Sequence, residues 1–318
     1  MSQKYDAILM IAYGGPEKPE DIRPFLAYVA SGRPIPPERL EEVAHHYEII
    51  GGKSPINELT FRQAKGLQDY LRRRGHTIPV YVGMRNWHPF LSDTIKKMYE
   101  SGVRHVLGMI MAAHQCDASW ERYQRDVEEA MAKTGVSLHV EYSPPLFDHP
   151  LFIEASADRV AECLSQIPAD KRVDSALIFT AHSIPVPMAN ESPYVQQLLT
   201  SCRLVAEQIN HVQWTLCYQS RSGRPTDPWL EPDIGDLLRK LAKEGVSYAV
   251  VQPIGFLCDH VEVLYDIGIE AAEVAEEVGI TLLRANTVND DPKFIEALAD
   301  VVERYLKQDA VYRMQDAG

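Results

Sequence analysis

Two short segments of the chain carry side chains that could bind a metal ion or transfer a proton. His182 lies in the run Phe179-Thr-Ala-His182, and Glu262 ends the run Gly255-Phe-Leu-Cys-Asp-His-Val-Glu262. Both runs follow apolar, β-type stretches, so both are predicted just beyond the carboxyl end of a strand. Ligands bind at that edge of open α/β sheets. An imidazole and a carboxylate delivered there from two strands are suited to hold a divalent cation or to move protons.

An acidic line extends from the second segment. Glu262, Asp266 and Glu270 stand at i, i+4 and i+8 of a predicted helix, so their carboxylates share one side of it. Apolar residues surround the start of this line, and a semi-buried row of carboxylates needs a cation or protons to compensate it. A solvated acidic face and a hydrogen-bonded structural His182 are the plainer interpretations. The joint occurrence of these groups in one half of the chain favours a His/carboxylate cleft that binds a divalent cation.

Two glycine-containing segments in the first half are candidates for ligand binding. Tyr13-Gly-Gly-Pro16 follows the first predicted strand, and its glycines allow a tight turn, but it lacks the GxGxxG pattern of a nucleotide site. Tyr13 could line a cleft, or it could end the strand with its hydroxyl in water. Gly51-Gly-Lys-Ser54 resembles the end of a P-loop, but it follows a predicted helix instead of a strand. Ser54 could cap the next element or bind an anionic group.

Strand-like and helical segments alternate along the whole chain. This alternation predicts an α/β fold with parallel sheets flanked by helices, and the four strands of each half predict two similar domains. The turn-rich segment 143–150 is the predicted boundary, which gives domains at residues 1–147 and 148–318 with the active site in the cleft between them. The predicted strands are Ala7–Ala12, Val80–Met84, Val106–Met111, Leu138–Tyr142, Ala176–Thr180, Thr215–Tyr218, Tyr248–Pro253 and Thr281–Arg284.

The composition is typical of a globular protein and excludes some partners. The 318 residues are 45% hydrophobic and 24% charged, with a formal net charge of −13. This charge argues against nucleic acid as the main partner, because phosphate binding needs basic stripes. The amino terminus has no signal-peptide anatomy, and no apolar run approaches the roughly 20 residues of a transmembrane helix, so a cytoplasmic protein is expected. The five cysteines show no CxxC spacing and are expected to be reduced thiols.

Seven segments, in a fixed order, carry a resemblance to one protein family. They are Ala12-Tyr-Gly-Gly-Pro16, His46–Asn57, Arg85-Asn-Trp-His-Pro-Phe90, Phe179–Pro185, Tyr218–Gly223, Pro228–Pro232 and Gly255–Asp266. Through them the sequence resembles the ferrochelatases, which insert Fe²⁺ into a porphyrin, over about residues 6 to 306. The number of ordered matches makes the resemblance specific. It implies the chelatase fold, which consists of two Rossmann-like domains, each a parallel four-stranded sheet flanked by helices, with a porphyrin cleft between them.

The resemblance implies a role for individual residues. His182 and Glu262 match the catalytic histidine and glutamate of the family, and Asp266 and Glu270 match an acidic path for metal or protons. Tyr13 matches a tyrosine that faces the metal from the other side of the porphyrin in the coproporphyrin-using branch. His182, Glu262 and Tyr13 are therefore the expected metal contacts. Contacts to the macrocycle or to its carboxylates are expected from His46, Tyr47, Ser54 and Tyr123.

The resemblance also implies the substrates. Fe²⁺ is expected as a substrate, and Tyr13, together with the lack of an apolar membrane-docking segment, favours coproporphyrin III in haem biosynthesis. The sequences of the segments that begin at Arg85 and Tyr218 are similar to those of actinobacterial members of this branch. A protoporphyrin IX ferrochelatase and a non-catalytic tetrapyrrole or metal carrier are the alternatives. A cobalt chelatase is disfavoured, because such proteins generally have a second metal-binding histidine where this chain has Glu262.

The chain departs from its relatives at two places. Some ferrochelatases grip the substrate with a basic pair where this chain has Ala30 and Ser31, and only Arg33 remains nearby. Some members carry a [2Fe–2S] cluster on carboxyl-terminal cysteines, but no cysteine follows Cys258, so neither a cluster nor another permanently bound cofactor is expected. A monomer is expected, with at most transient contacts to the upstream and downstream enzymes of the haem pathway.

Overall fold

Eight strands form two separate parallel sheets in the computed structural model, which describes residues 4–32, 35–222 and 226–316. The first sheet contains the strands of the first half in the order β2-β1-β3-β4, and the second contains the strands of the second half in the order β6-β5-β7-β8. The predicted α/β fold class is therefore confirmed. The strands are β1 (Ala7–Ala12), β2 (Val80–Met84), β3 (His105–Ile110), β4 (His139–Tyr142), β5 (Ala176–His182), β6 (Trp214–Gln219), β7 (Tyr248–Gln252) and β8 (Thr281–Arg284).

Helices connect successive strands and cover the sheets. The α-helices are α1 (Pro19–Ala30), α2 (Pro37–Ile49), α3 (Ile56–Arg73), α4 (Leu91–Glu100), α5 (Arg122–Thr134), α6 (Pro150–Gln166), α7 (Val186–Asn190), α8 (Tyr194–Gln208), α9 (Ile234–Lys243), α10 (Ala272–Glu277) and α11 (Pro292–Asp316). Two π-helices, π1 (Asp117–Glu121) and π2 (Glu262–Ala271), lead directly into α5 and α10. π-Helices are rare and occur frequently at functional sites, which draws attention to π2 because it begins at Glu262.

The central strand of each sheet is buried along its length. Every residue of β1 is buried, and in β5 only the terminal residues Ala176 and His182 are partly exposed. Strands covered by helices on both faces need apolar side chains on both faces, which explains why these runs show no polar alternation in the sequence. Side chains at the carboxyl ends of the central strands are therefore attached to buried backbone, which suits their positioning.

The two halves share one hydrophobic core. The largest cluster of buried side chains contains Met10 and Leu67 from the first half together with Phe179 and Leu298 from the second. A polar contact joins the halves as well, because the Gln63 amide donates to the Asn289 carbonyl at 2.7 Å. The edges of the two sheets are therefore held in a fixed relation by packed side chains.

The predicted positions of His182 and Glu262 relative to the strand ends need correction. β5 was predicted to end at Thr180, but its pairing with β6 continues to His182, so His182 is the last residue of the strand instead of a residue beyond it. Glu262 does not directly follow β7, because the segment 253–261 separates it from Gln252. No helix in the described part of the chain is long and apolar enough to cross a membrane.

Candidate active site

His182 is held by the backbone of the next residue and by a neighbouring tyrosine. Its Nδ1 contacts the Ser183 carbonyl, and the Tyr194 hydroxyl donates to the His182 carbonyl at 3.1 Å. A carbonyl oxygen can only accept, so Nδ1 carries the proton, and the neutral ring keeps a lone pair on Nε2. Nε2 points to Glu262, with 3.8 Å between Nε2 and Oε2. A base or metal ligand of defined orientation therefore stands at the end of β5.

The segment that carries Glu262 runs close to β5 because of one glycine. A Cβ on Gly255 would lie 2.6 Å from Cβ of Ala181 and 2.8 Å from its Cα, which is too close for any other residue. The Gly255 amide donates to the Thr180 carbonyl at 3.1 Å. The segment after β7 therefore lies directly against the last residues of β5, and this approach delivers Glu262 next to His182.

A buried carboxylate network holds the same segment from the other side. The Asp259 carboxylate accepts from Arg284 at 3.1 Å and from the Asn289 amide at 2.9 Å, and the Asp259 backbone N–H donates to Asn289 Oδ1 at 2.9 Å. A charged, hydrogen-bonded network of this kind restricts the backbone around it. Residues 260–262 are therefore anchored just before π2 begins.

Two histidines flank the Glu262 carboxylate. Nε2 of His182 and Nε2 of His260 lie 3.8 and 3.6 Å from the same oxygen, Oε2 of Glu262. Burial disfavours the charged carboxylate, but His182 and His260 outweigh this effect and lower the pKa of Glu262 to about 2. Burial likewise disfavours a charged His260, but the Glu262 carboxylate outweighs this effect of burial, so the pKa of His260 is raised. The three groups form a cluster that can hold a positive charge between two imidazoles.

The acidic line continues along π2, as the sequence spacing predicts. Burial, reinforced by the Glu262 carboxylate, raises the pKa of Asp266 to about 7, although the Ser220 hydroxyl donates a hydrogen bond to it. Burial also raises the pKa of Glu270. The carboxyl nearest the histidines is thus ionised at neutral pH, and Asp266 can be protonated or charged, which is the property of a group that passes protons.

The Tyr13 turn follows β1 and is the part of the candidate site that comes from the first half of the chain. Gly14 adopts φ +83°, and Asn57 clamps the turn by accepting from the Gly15 amide at 2.9 Å and donating to the Gly15 carbonyl at 3.1 Å. The Tyr13 ring packs edge-on against Phe25, and 37% of the residue is exposed. Tyr13 is therefore a positioned side chain with an accessible surface, as expected for a residue that lines a cleft.

Aromatic side chains of α1 and α2 connect the Tyr13 turn to π2. The His46 ring stacks on Tyr265 at 3.7 Å between centroids, and Tyr47 packs against Phe25 in a cluster that also includes Val261. Burial raises the pKa of Tyr47 well above its ordinary value, and the nearby Tyr13 and Glu262 add to this effect. The structure thus brings Tyr13, Tyr47 and the metal-binding candidates together.

Three of the predicted porphyrin contacts are buried in this structure. Ser54 is only 4% exposed, beneath Gly15, and Tyr47 and Tyr123 are also buried. A residue that touches the substrate directly needs surface in the cleft, so the structure favours His46 and Tyr13 over these three as direct contacts. Arg33 lies outside the described residues.

Some residues of this site were missed by the sequence predictions. His260 stands two positions before Glu262, but side chains at i and i+2 do not face each other on a helix, so no spacing in the sequence pairs the two residues. Gln219, the last residue of β6, donates to the Glu262 carbonyl, and Ser220 follows it; both lie far from Glu262 in the sequence. Within the described ranges, no three or more His, Cys, Asp or Glu side chains form a group that could hold a metal ion.

Comparisons with known proteins agree with the sequence resemblance. The family model described as Ferrochelatase matches residues 5–306. The coproporphyrin III ferrochelatase of Mycolicibacterium smegmatis is 41% identical over 95% of this chain and 90% of its own length. A relative from Rhodopirellula baltica, named ferrochelatase, is 40% identical over 95% of this chain and 86% of its own length. Among solved structures, SirB from Bacillus subtilis with Fe³⁺ has a TM-score of 0.58 at 11% identity, covering 94% of this chain and 95% of that one, which shows a shared fold.

Proposed function

The chain belongs to the ferrochelatase family, and on this premise we propose that it inserts Fe²⁺ into coproporphyrin III to form Fe-coproporphyrin (coproheme) in haem biosynthesis, as a lyase-class porphyrin metal chelatase. The observation that carries the proposal is the cluster of His182, His260 and Glu262 at the carboxyl edge of the second sheet, together with the accessible Tyr13 at the carboxyl edge of the first. Three relatives that are 41% identical over 94–95% of this chain bear the name coproporphyrin III ferrochelatase, which supports the choice of porphyrin.

Chelation exchanges two pyrrole protons for one ferrous ion. Each N–H bond breaks with its electron pair left on nitrogen, both protons leave the macrocycle, and the nitrogens bind Fe²⁺ without any redox change. The protein must therefore accept protons on one side of the ring and release iron to it. Nε2 of His182 is the base for this step, because Nδ1 is already held by the Ser183 carbonyl.

Glu262 and the acidic line complete the proton path. The Glu262 carboxylate, ionised at neutral pH, stabilises the imidazolium form of His182. Asp266, with a pKa of about 7, can take a proton from this cluster and release it towards Glu270. His260 shares the charge of Glu262 and limits how far that carboxylate turns away from His182.

We place Tyr13 on the side of the porphyrin opposite His182. Its phenol oxygen can contact the iron from the side opposite His182. Tyr13, His182 and Glu262 are then the residues that contact the metal. His46 would contact the macrocycle, while Tyr47, Ser54 and Tyr123 support the wall from behind or become accessible when substrate binds. Borderline-soft imidazole nitrogen suits Fe²⁺, and the porphyrin supplies the remaining ligands.

The proposal is tested by anaerobic Fe²⁺ insertion, with coproporphyrin III and protoporphyrin IX offered separately and followed by optical spectra. Rapid metallation of coproporphyrin III is expected, with slower or no turnover of protoporphyrin IX. Preference for protoporphyrin IX would contradict the choice of substrate but not the chemistry. Binding of both porphyrins without metallation would contradict the enzymatic function and favour a carrier.

The remaining assignments belong to the same proposal. We propose a cytoplasmic monomer with domains at 1–147 and 148–318, without a permanently bound cofactor and with transient contacts to neighbouring enzymes of the pathway. The boundary is supported by its position between β4 and α6. The purified protein should show no visible absorbance from a [2Fe–2S] cluster, and a cluster spectrum would contradict this assignment.

A further inference from the structure

Helix α3 carries polar side chains on the side that faces the core. Asn57, Thr60 and Gln63 stand at i, i+3 and i+6, and each is no more than 1% exposed. This spacing places them along one side of the helix. A polar side chain in a core is costly unless it is hydrogen-bonded. Thr60 bonds within the helix, to the Ile56 carbonyl at 2.7 Å, whereas Asn57 and Gln63 bond to groups outside it.

The two outward bonds of α3 reach different halves of the chain. Asn57, in the first turn of the helix, holds the Tyr13 turn by two hydrogen bonds. Gln63 donates to the Asn289 carbonyl at 2.7 Å and to the Leu257 carbonyl at 3.4 Å. Six residues of α-helix span about 9 Å. One rigid element therefore connects an anchor in the first half with an anchor in the second.

Asn289 extends the contact with Gln63 to the segment that leads to Glu262. The Asn289 backbone N–H donates to the Leu257 carbonyl at 3.0 Å. Its side chain accepts from the Asp259 backbone N–H and donates to the Asp259 carboxylate, both at 2.9 Å. Its own carbonyl is the group that Gln63 holds. Gln63 is thus bonded to a unit that ends three residues before Glu262.

The Cys258 side chain lies in the same contact. Burial, reinforced by the Asp259 carboxylate, raises the pKa of Cys258 to about 12, although the nearby Gln63 and Thr60 side chains lower it. Apolar packing also joins the two halves, but the hydrophobic effect is non-directional. Hydrogen bonds require a defined distance and angle. The bonds of Gln63 therefore specify where the segment lies against α3, which packing alone does not.

We propose that Gln63 is a positioning residue of the reaction. Together with Asn57 it makes α3 a strut that fixes the distance between the Tyr13 turn and the segment before Glu262. This inference rests on the proposed function, since it concerns how residues from both halves reach one metal ion. A porphyrin can follow either half if this distance changes, so its binding is kept. The iron has to be within reach of both halves at once, and a misplacement of about 1 Å can cost about a hundredfold in rate.

The test measures kcat and KM for Fe²⁺ insertion into coproporphyrin III by Gln63→Met, which keeps the length of the side chain but removes its N–H donors. We expect kcat to fall about tenfold and KM for coproporphyrin III to change by less than about twofold. Gln68→Met is the matched control, because Gln68 also lies on α3 and bonds to backbone groups, those of Ile78 and Val80, but within the first half. It should leave kcat unchanged. An equal fall in kcat for both variants would overturn the inference.

A double-mutant cycle with Tyr13→Phe separates positioning from a merely structural role. Without the phenol oxygen, its distance from Glu262 no longer matters. Gln63→Met should therefore lower kcat only about threefold or less in the Tyr13→Phe background. A structural role would lower kcat by the same factor in both backgrounds, and that result would overturn the inference.

A milder variant keeps the cycle decisive if Gln63→Met does not fold. Gln63→Asn retains an amide on a shorter side chain. Its effect on kcat should be smaller than that of Gln63→Met and should likewise shrink in the Tyr13→Phe background. The inference fails if Gln63→Asn lowers kcat equally in both backgrounds.

Amide hydrogen exchange tests the anchor without any substrate. Exchange in the segment 253–261 should be faster in Gln63→Met than in the unaltered protein, and Gln68→Met should not change it. Unchanged exchange in Gln63→Met would overturn the inference. If exchange rose as expected but the unaltered protein did not metallate coproporphyrin III, the proposed function would fail and with it the role of Gln63 in the reaction, while the anchor itself would stand.

Discussion

The carboxyl edges of the two sheets have the same topology but opposite chemistry. Both sheets place their first strand second in the order and their third strand beside it. The edge of the first sheet presents Tyr13 and Arg85, whereas that of the second presents His182 and, after a connecting segment, Glu262. One edge thus offers an aromatic ring and donors, and the other offers a base and acids. The scaffold fixes where ligands bind, and the residues after the strands decide what happens there.

The two edges also differ in how their side chains are held. The Tyr13 turn is short and clamped by one amide, that of Asn57. The Glu262 segment is long and relies on Asp259, on the close approach at Gly255 and on a π-helix. We therefore expect the first edge to position the substrate and the second to carry out proton transfer. The following variants test this division, beginning with the largest expected effect.

His182→Ala should cause the largest loss. It removes the base of the second edge, and general base catalysis contributes about 10²- to 10⁴-fold, so kcat for Fe²⁺ insertion should fall by at least about a hundredfold. The Tm should stay close to that of the unaltered protein, because His182 is partly exposed at a strand end. His211→Ala, at the amino end of the same sheet, is the matched control and should retain activity. Substantial turnover by His182→Ala would contradict the assignment of proton transfer to the second edge.

Glu262→Gln should have the next largest effect. The amide keeps the shape of the side chain but no longer stabilises an imidazolium, so kcat should fall by about tenfold to a hundredfold. The pKa of His260, which Glu262 raises, should fall as well, and NMR titration of the imidazole protons measures this change. Glu244→Gln, on the exposed end of α9, is the control. An unchanged His260 titration would contradict the described cluster.

Tyr13→Phe should have a smaller effect on turnover than either change at the second edge. The ring still packs against Phe25, so the fold is kept, and loss of the hydroxyl should lower kcat by about tenfold or less. Steady-state kinetics of Fe²⁺ insertion, with Tyr99→Phe as the control, gives this number. A fall in kcat as large as that of His182→Ala would contradict the proposal that the first edge positions the substrate and the second carries out proton transfer.

Asp266→Asn should have the smallest effect and should act on stability as a function of pH. The pKa of Asp266 is raised from 3.8 in the unfolded chain to about 7 in the fold, so its contribution to stability is full below about 3.8 and is lost as the pH rises through 7. Asp266→Asn stays neutral, so its Tm at pH 8 should exceed that of the unaltered protein by about 4 °C, with a smaller difference at lower pH. Glu273→Gln, on an exposed position of α10, should show no such pH dependence. A constant difference from pH 4 to 8 would contradict the raised pKa.

Much of the fold was predictable because its strands are buried on both faces. Such strands appear as continuous apolar runs, and the predicted β1, β2 and β8 match the structure residue for residue. The end of β5 was misplaced because pairing with β6 continues through the polar His182, and hydrophobicity does not record hydrogen bonds between strands. The helix after His260 was expected from its pattern, but its π form was not.

The sequence by itself determined the order of elements, the acidic line and, through its resemblance, the family. These depend on residue type and spacing along the chain, which local physics and ordered motifs can specify. Only the tertiary structure decided that His260 shares Glu262 with His182, and that Asn57 and Gln63 of one helix bond to different halves of the chain. These groupings join residues from different strands and helices. They arise from packing and hydrogen bonds between distant segments, which no periodicity in the sequence encodes.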